Sequence, residues 1–241
     1  MILRRDGTDW LYINQLDHSR LAGRLMAAWQ ADGFPGRPTR AKVLQATSDH
    51  DLGWQIPDAV PRISAEGQPY DFVSAPLDIK QPPFGRAVET LTAEDPYVAA
   101  LVAQHAITVY RRFANDPAWR GFFGPLESRR DDLVATAVPG GFESFLLDYA
   151  LVGLGDLFSL VFCNGWLDPY LMEGYQAILR DNRLTISPDP FAGATVALEV
   201  VARRIPARVY ASDQDLRDTL AQAAPERVTG VAAGAPLPPI S

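Results

Sequence analysis

Residues 142–163 have the sequence FESFLLDYALVGLGDLFSLVFC and set the expected architecture. They form the longest apolar run in the chain, and as a helix the run is apolar on nearly every face. Such a helix belongs either in the centre of a protein core or in a membrane. Asp148, Asp156 and several glycines interrupt the run. We therefore interpret it as a buried core helix and not as a membrane span.

The segments before this helix predict further helices with little β structure. Asp17, Thr39 and Asp95 are good N-cap residues, and each precedes apolar residues spaced three and four apart. Residues 1–14 predict a short strand pair around a turn. The proline-rich residues 57–85 predict a long irregular excursion over the surface, of the kind that often forms lids or binding loops.

The last third of the chain changes character. The tail from about residue 226 is rich in Ala, Gly and Pro, so we expect it to be loosely held. The sequence therefore predicts a mainly α protein, with a helical bundle over residues 1–170 and a small β appendage over residues 171–241, to which the N-terminal strands can add. Three short strands are predicted in the appendage, over residues 184–186, 195–202 and 207–211.

Composition limits the class of partner. The net charge of −7 is spread along the 241 residues, which argues against non-specific binding to a nucleic-acid polymer. The single cysteine, Cys163, excludes a disulfide within the chain and favours a reducing compartment. The amino terminus shows no apolar segment of signal-peptide length. We therefore expect a cytoplasmic protein with a small-molecule substrate and no membrane partner, for which a homo-oligomer is allowed.

The chain has only three histidines, His18, His50 and His105. Each falls on the apolar stripe of a different predicted helix, so each imidazole should point into the core. A single core histidine is usually satisfied by one hydrogen bond, but three buried imidazoles need several partners. One shared metal ion would satisfy them together.

Two aspartates strengthen the prediction of a metal site. Asp51 follows His50 at the end of a predicted helix, where the helix dipole disfavours a carboxylate. A capping or surface role is the alternative for Asp51. Asp156 lies in the helix that is apolar all round, where a carboxylate needs a metal ion or an arginine partner. Asp148, two turns earlier, fits a structural role as well as a site role.

These residues carry a resemblance to a known superfamily. Residues 50–54, HDLGW, are similar to its HD-x-G element, and the resemblance spans about residues 10–166. The strings QLDH at 15–18, DPY at 95–97 and DLFSL at 156–160 resemble a bacterial branch of the same superfamily. The order of four side chains resembles the H…HD…D signature of the HD-domain metal-dependent phosphohydrolases: His18, His50, Asp51 and Asp156.

The resemblance implies an HD-like helical bundle in which these four side chains form the first metal shell. HD proteins with two metal ions supply further histidines between the HD pair and the last Asp. This chain offers only His105 there, which favours one ion, or two ions completed by carboxylates. The shortage of histidines argues against the two-metal oxygenase activity of some relatives.

The ligand types indicate the metal and the chemistry. Imidazole and carboxylate ligands without thiolate suit Mn, Fe, Co, Ni or Zn. Such an ion with an open position acidifies a bound water and polarises a phosphoryl oxygen. We therefore expect a phosphohydrolase acting on a small phosphate ester or nucleotide, with Asp51 and His105 as catalytic residues.

Three further residues are candidates for substrate binding. Lys42 and Arg20 could contact a phosphate, and Trp54 could line a pocket, although solvated charges and a core aromatic are the simpler interpretations. No glycine-rich phosphate loop is present in the sequence. Two alternative functions stay open: a metal-stabilised HD-like ligand-binding or regulatory protein without catalysis, and an iron-dependent HD-type oxygenase.

Overall fold

The computed structural model describes residues 1–137 and 140–236. It is a mixed α and β structure, in which 53 % of the residues are helical and 21 % lie in strands. The prediction of a mainly α, or all-α, bundle with a small β appendage is therefore wrong. The strands form one seven-stranded sheet that curls into a half-barrel.

The sheet draws its strands from both ends of the chain. Its order is β1-β2-β6-β7-β5-β4-β3, and all neighbours are antiparallel except β5 and β7. Its strands are β1 Ile2–Asp6, β2 Asp9–Ile13, β3 Tyr170–Met172, β4 Tyr175–Arg180, β5 Arg183–Ser187, β6 Thr195–Pro206 and β7 Pro225–Gly234.

Strand β6 joins the strands from the two ends of the chain, on either side of the predicted division at residue 170. It pairs with the N-terminal strand β2 on one side and with β7 on the other. The short strand pair predicted for residues 1–14 is confirmed, but it belongs to the same sheet as the C-terminal strands.

The predicted loose tail also differs from the structure. Residues 225–234 form β7, which is paired on both sides inside the sheet. Its glycines follow from close packing rather than from a loose chain. A Cβ at Gly230 would come within 2.3 Å of the Asn182 carbonyl oxygen, and one at Gly234 within 1.6 Å of Asp189 Oδ1.

The helices pack on the sheet and on each other. The predicted cap at Asp95 is confirmed, since its side chain accepts hydrogen bonds from the amides of Tyr97 and Val98. The excursion at residues 57–85 contains helical turns and is less irregular than predicted. Nine α-helices occur in the described part of the chain: α1 Gln15–Ala27, α2 Arg40–Asp49, α3 Gln55–Ala59, α4 Leu77–Lys80, α5 Pro82–Glu94, α6 Pro96–Tyr110, α7 Arg120–Ala137, α8 Gly141–Asn164 and α9 Asp213–Gln222.

Helix α8 lies at the centre of the helical layer and contacts α1, α2, α6 and the sheet. By length and composition it could cross a membrane, but 61 % of its apolar window is buried inside the structure. This burial agrees with the prediction of a core helix. Its exposed apolar side chains, Phe142, Leu146 and Leu147, lie near its first turns.

Candidate metal centre

The fold brings together the five predicted metal-centre residues from separate elements. His18 lies on α1, His105 on α6 and Asp156 on α8. His50 and Asp51 come directly after α2, where the chain enters a 3-10 turn over Leu52–Trp54. We call these five residues the His/Asp cluster.

Close packing of α1, α2 and α8 positions the cluster. A Cβ at Gly155 of α8 would lie 2.6 Å from Thr47 Cγ2 and 2.8 Å from Met26 Cγ. A Cβ at Gly23 of α1 would lie 2.0 Å from Ser48 Oγ. Because both contacts are too short for a side chain, only glycine lets the three helices approach this closely.

Gly53 has a similar role beside Asp51. A Cβ there would lie 1.7 Å from the carbonyl oxygen of Pro83, at the start of α5. The 3-10 turn therefore packs directly on the α5 backbone. This contact fixes the position of the chain just after Asp51. It also explains why the HDLGW string has a glycine at position 53.

The ligand atoms of the cluster fall into two overlapping groups, one of His18, His50 and Asp51 and the other of His50, His105 and Asp156. His18 Nε2 lies 3.2 Å from His50 Nε2, 3.1 Å from Asp51 Oδ2 and 3.5 Å from Asp156 Oδ1. His50 Nε2 lies 3.5 Å from Asp51 Oδ2 and 3.3 Å from Asp156 Oδ1. An octahedral ion with bonds of about 2.1 Å separates neighbouring ligand atoms by about 3.0 Å. The spacing of these pairs is therefore close to that of neighbouring ligands on a metal ion.

The hydrogen bonds define the tautomers of two histidines. His50 Nδ1 lies 2.8 Å from the carbonyl oxygen of Thr47, which can only accept, so Nδ1 carries the hydrogen. His18 Nδ1 lies 2.7 Å from Ser159 Oγ, and the Ser159 hydroxyl donates to the Asp156 carbonyl oxygen at 2.9 Å. His18 Nδ1 is therefore also the donor, and both Nε2 atoms of the neutral rings present lone pairs. Two lone pairs 3.2 Å apart need a cation, a proton or a metal ion, between them.

The electrostatics of the cluster favour a positive charge. Burial lowers the pKa of His50, but Asp51 and Asp156 raise it more strongly, to about 9. Burial raises the pKa of Asp156, but its hydrogen bond with His50 and the nearby histidines bring it well below the ordinary value. The pKa of Asp51 is also lowered, because His50 and His18 outweigh its burial. Both carboxylates are therefore ionised, as metal ligands must be.

His105 occupies a different position from His18 and His50. Its Nε2 lies 3.9 Å from Asp156 Oδ2, and its ring centroid lies 4.6 Å from that of His50. Its Nδ1 is buried and has no hydrogen-bond partner in the described residues. Burial and the charge of His50 lower its pKa to about 4, so the ring is neutral near pH 7. Asp156 thus presents one oxygen to His18 and His50 and the other to His105.

The cluster is almost closed to solvent. The side chains of His18, His50, Asp51 and His105 are 0–6 % exposed, whereas that of Asp156 is 15 % exposed. Access from water is therefore on the side of Asp156.

Sequence reasoning missed two residues that orient the cluster. Ser159 was detectable as a polar residue three positions after Asp156 in an apolar helix. Thr47 was predicted only as part of the inward stripe of α2. Thr47 contacts His50 through its backbone carbonyl, and the pattern of side chains gives no signal for such a contact.

The predicted substrate-binding residues have other contacts. Lys42 Nζ lies 2.8 Å from Asp95 Oδ2 and ties α2 to the start of α6. Arg20 is 59 % exposed and lies 4.0 Å from Asp17. Trp54 is buried, with its ring centroid 6.5 Å from that of Phe84. Trp54 is joined to the cluster through its backbone amide, which donates to the Asp51 carbonyl oxygen at 2.9 Å, whereas the ionic contacts of Lys42 and Arg20 are with other residues.

Asp148 has the structural role that the sequence left open. It is buried, and its Oδ1 lies 2.8 Å from Arg37 NH1 while its Oδ2 accepts a hydrogen bond from Tyr97 at 2.5 Å. This network joins α8, α6 and the loop before α2.

The fold and the site define a class: a mixed α and β protein with a buried His/Asp cluster able to hold a metal ion. Over residues 1–207 the chain matches the family described as a protein of unknown function (DUF3891), and it belongs to that family. The match includes the whole His/Asp cluster and ends before α9 and β7. No curated protein and no solved structure matches the chain. The family match does not link the chain to the HD-domain proteins, so that resemblance stays a hypothesis.

Proposed function

We propose that the protein is a metal-dependent hydrolase whose His/Asp cluster holds one divalent transition-metal ion. The observation that carries the proposal is the approach of the two Nε2 atoms of His18 and His50 to 3.2 Å, beside the ionised carboxylates of Asp51 and Asp156. Mixed nitrogen and oxygen ligands suit Mn, Fe, Co, Ni or Zn. When bound, the ion supplies an acidified water and polarises an ester oxygen.

The residues of the cluster then have distinct roles. His18, His50, Asp51 and Asp156 would hold the ion, while Ser159 and Thr47 orient the two imidazoles. Asp51 would also contact the attacking water. His105 is neutral, with Nε2 3.9 Å from Asp156 Oδ2 and a buried Nδ1 that has no hydrogen-bond partner among the described residues, so the ring could accept a proton.

The substrate class rests on the HD resemblance. Phosphate esters or nucleotides are the substrates we propose, and we infer a cytoplasmic protein from the single cysteine. Lys42 is paired with Asp95. Residues other than Lys42 would therefore have to supply the cationic contacts to a phosphate.

The first experiment measures metal content by elemental analysis of protein purified without chelators or metal-binding tags. We expect about one ion per chain in the parent protein and loss of the ion in His50→Gln and Asp156→Asn. Asp148→Asn is the matched control, because it changes the same residue type on the same helix but outside the cluster. Its metal content should equal that of the parent. A parent protein that stays empty after addition of each metal would contradict the proposal.

A structural metal site is the second candidate function, and the near-complete burial of four ligands favours it. Hydrolysis of a phosphate-ester panel, lost in Asp156→Asn, would support the hydrolase. A metal-loaded protein that melts at higher temperature than the metal-free protein, yet hydrolyses no ester, would support the structural role. Two ions per chain would instead favour the iron-dependent oxygenase alternative.

A further inference from the structure

A second feature of the molecule is a groove of about 500 Å³ between α5 and α7. No residue of the His/Asp cluster lines it. Its volume falls within the range of small-molecule sites, roughly 300–1,000 Å³. The groove is therefore a separate candidate site, and its argument does not depend on the metal centre.

Two glycines leave open space in the groove. A Cβ at Gly85 of α5 or at Gly121 of α7 would meet no atom within 4 Å. Pro125 lies inside α7 and has no amide hydrogen for the regular helical bond to the Gly121 carbonyl. The floor includes the buried side chains of Val88 and Leu126. The groove thus combines an apolar floor with open space beside Gly85 and Gly121.

The groove is long, and the residues at its end near Gln81 and Phe122 are held by several contacts. Gln81 Nε2 donates to the Ala118 carbonyl oxygen at 3.2 Å, so α5 and α7 start side by side. The lining extends along α5 from Pro82 to Thr92, which at the helical rise is about 15 Å. Phe122, at the base, lies within a cluster of aromatic rings that limits its movement. Its neighbours by ring centroid are Phe84 at 6.2 Å, Trp119 at 5.1 Å and Phe123 at 5.3 Å.

Two charges flank the groove. Arg129 and Glu89 both line it, and neither has an ionic partner within 4.0 Å among residues 1–137 and 140–236. A guanidinium with open donors suits a carboxylate, which it binds through two parallel hydrogen bonds. Glu89 lines the groove from α5, where its negative charge opposes the binding of a carboxylate.

We propose that this groove binds a medium-chain carboxylic acid, with the alkyl chain over Val88 and Leu126 and the carboxylate at Arg129. The length of the groove matches an extended alkyl chain, and Arg129, the one cationic side chain among the described residues that line the groove, matches one carboxylate. The ligand class is distinct from the phosphate esters proposed for the metal centre.

The test is a calorimetric titration of the full chain with decanoate. Gly85→Leu and Gly121→Leu should each weaken binding about tenfold or more, because leucine fills space that is empty in the parent. Both replacements favour the helix, and circular dichroism checks that each variant is folded. Arg129→Gln should weaken binding several-fold, and Glu89→Gln should strengthen it.

Arg111→Gln, another exposed arginine outside the groove, is the control and should bind decanoate like the parent. Decanol should bind the parent and Arg129→Gln equally, since it has no charge. Absence of decanoate binding, or binding that both leucine variants retain, would overturn the proposal. A change of oligomeric state in the leucine variants, measured by sedimentation, would also overturn it, because a second copy of the chain would then cover the groove.

Discussion

The hydrogen bonds of single residues determine what the His/Asp cluster can hold. Ser159 and the Thr47 carbonyl accept from the Nδ1 atoms of His18 and His50, so both Nε2 atoms face the same point. Only a cation between them relieves the repulsion of their lone pairs. These two acceptors are therefore as important to the cluster as the ligands themselves.

We predict that Ser159→Ala lowers metal affinity about 10- to 100-fold, because His18 loses the acceptor that fixes its tautomer. Competition with a chromogenic chelator, using Co²⁺ or Zn²⁺, measures the change. Ser19→Ala is the matched control, since Ser19 is buried on α1 but bonds only to backbone carbonyls. Equal losses in both variants would mean that Ser159 acts through general packing.

The pKa of His50 makes metal binding depend on pH. In the metal-free protein His50 holds a proton up to about pH 9, and a metal ion must displace that proton. We expect the apparent affinity to rise about tenfold per pH unit between roughly pH 6.5 and 9. Proton release measured with an indicator dye checks this, and a flat profile would show that His50 is not a ligand.

The same shift affects the stability of the metal-free protein. Because the folded pKa of His50 lies above its unfolded value near 6.5, its contribution is complete below pH 6.5 and is lost as pH rises through about 9. Denaturant unfolding of the metal-free protein should show this decline. His50→Gln should remove the part of this loss of stability that comes from His50.

Glycine contacts control the packing at the scale of whole helices. Gly155 brings α8 against Thr47 of α2 and Met26 of α1, and so places Asp156 beside His18 and His50. A slightly larger gap between these helices would separate the ligand atoms without removing any of them.

We predict that Gly155→Ala destabilises the protein by about 1–3 kcal/mol and reduces its metal content, because the new methyl group forces α8 outward. Gly153→Ala is the control on the same helix. Its Cβ would lie 3.5 Å from Met172 Sδ, an ordinary contact, so it should be neutral or stabilising by up to about 1 kcal/mol. Urea unfolding and elemental analysis measure both effects. Retention of a full metal complement in Gly155→Ala would contradict the prediction.

The network of Asp148, Arg37 and Tyr97 joins elements away from the metal. We predict that Arg37→Leu costs about 3–5 kcal/mol of stability, because a buried carboxylate loses its charged partner. Metal content per folded chain should not change. A loss of metal without a loss of stability would contradict the separation of this network from the metal centre.

At the scale of the whole molecule, β7 joins two parts of the sheet. It pairs with β6, which continues to the N-terminal strands, and with β5, which continues to β4 and β3. The helical layer with the metal centre packs on this single sheet. Stability of the two ends of the chain is therefore coupled through β7.

We predict that Gly230→Val destabilises the whole protein by 2 kcal/mol or more, about the cost of overpacking a tight contact. A Cβ at Gly230 would clash with the Asn182 carbonyl oxygen and with Phe162 of α8. Thr229→Val, the neighbouring exposed position on the same strand, is the control. Thermal unfolding followed by tryptophan fluorescence compares them, and equal melting temperatures would show that β7 is dispensable.

The apolar run of α8 and the helical spacing around His18, His50 and His105 were sufficient to predict the core helix and the convergence of the histidines. Local periodicity carries this information, because a residue on the apolar face of a helix must point inward. The sheet could not be predicted in the same way. Strand β7 is rich in alanine and glycine, and its strand conformation depends on partners far away in the sequence.

The amino-acid sequence thus establishes the residues of the cluster and the central place of α8, since both follow from local patterns and from the cost of burying charge. Only the tertiary structure decides the single curled sheet, the Ser159 and Thr47 contacts that orient the imidazoles, and the pairing of Lys42 with Asp95. The physical reason is that these depend on distances between segments that lie far apart in the chain. The spacing of residues within one segment carries no information about such distances.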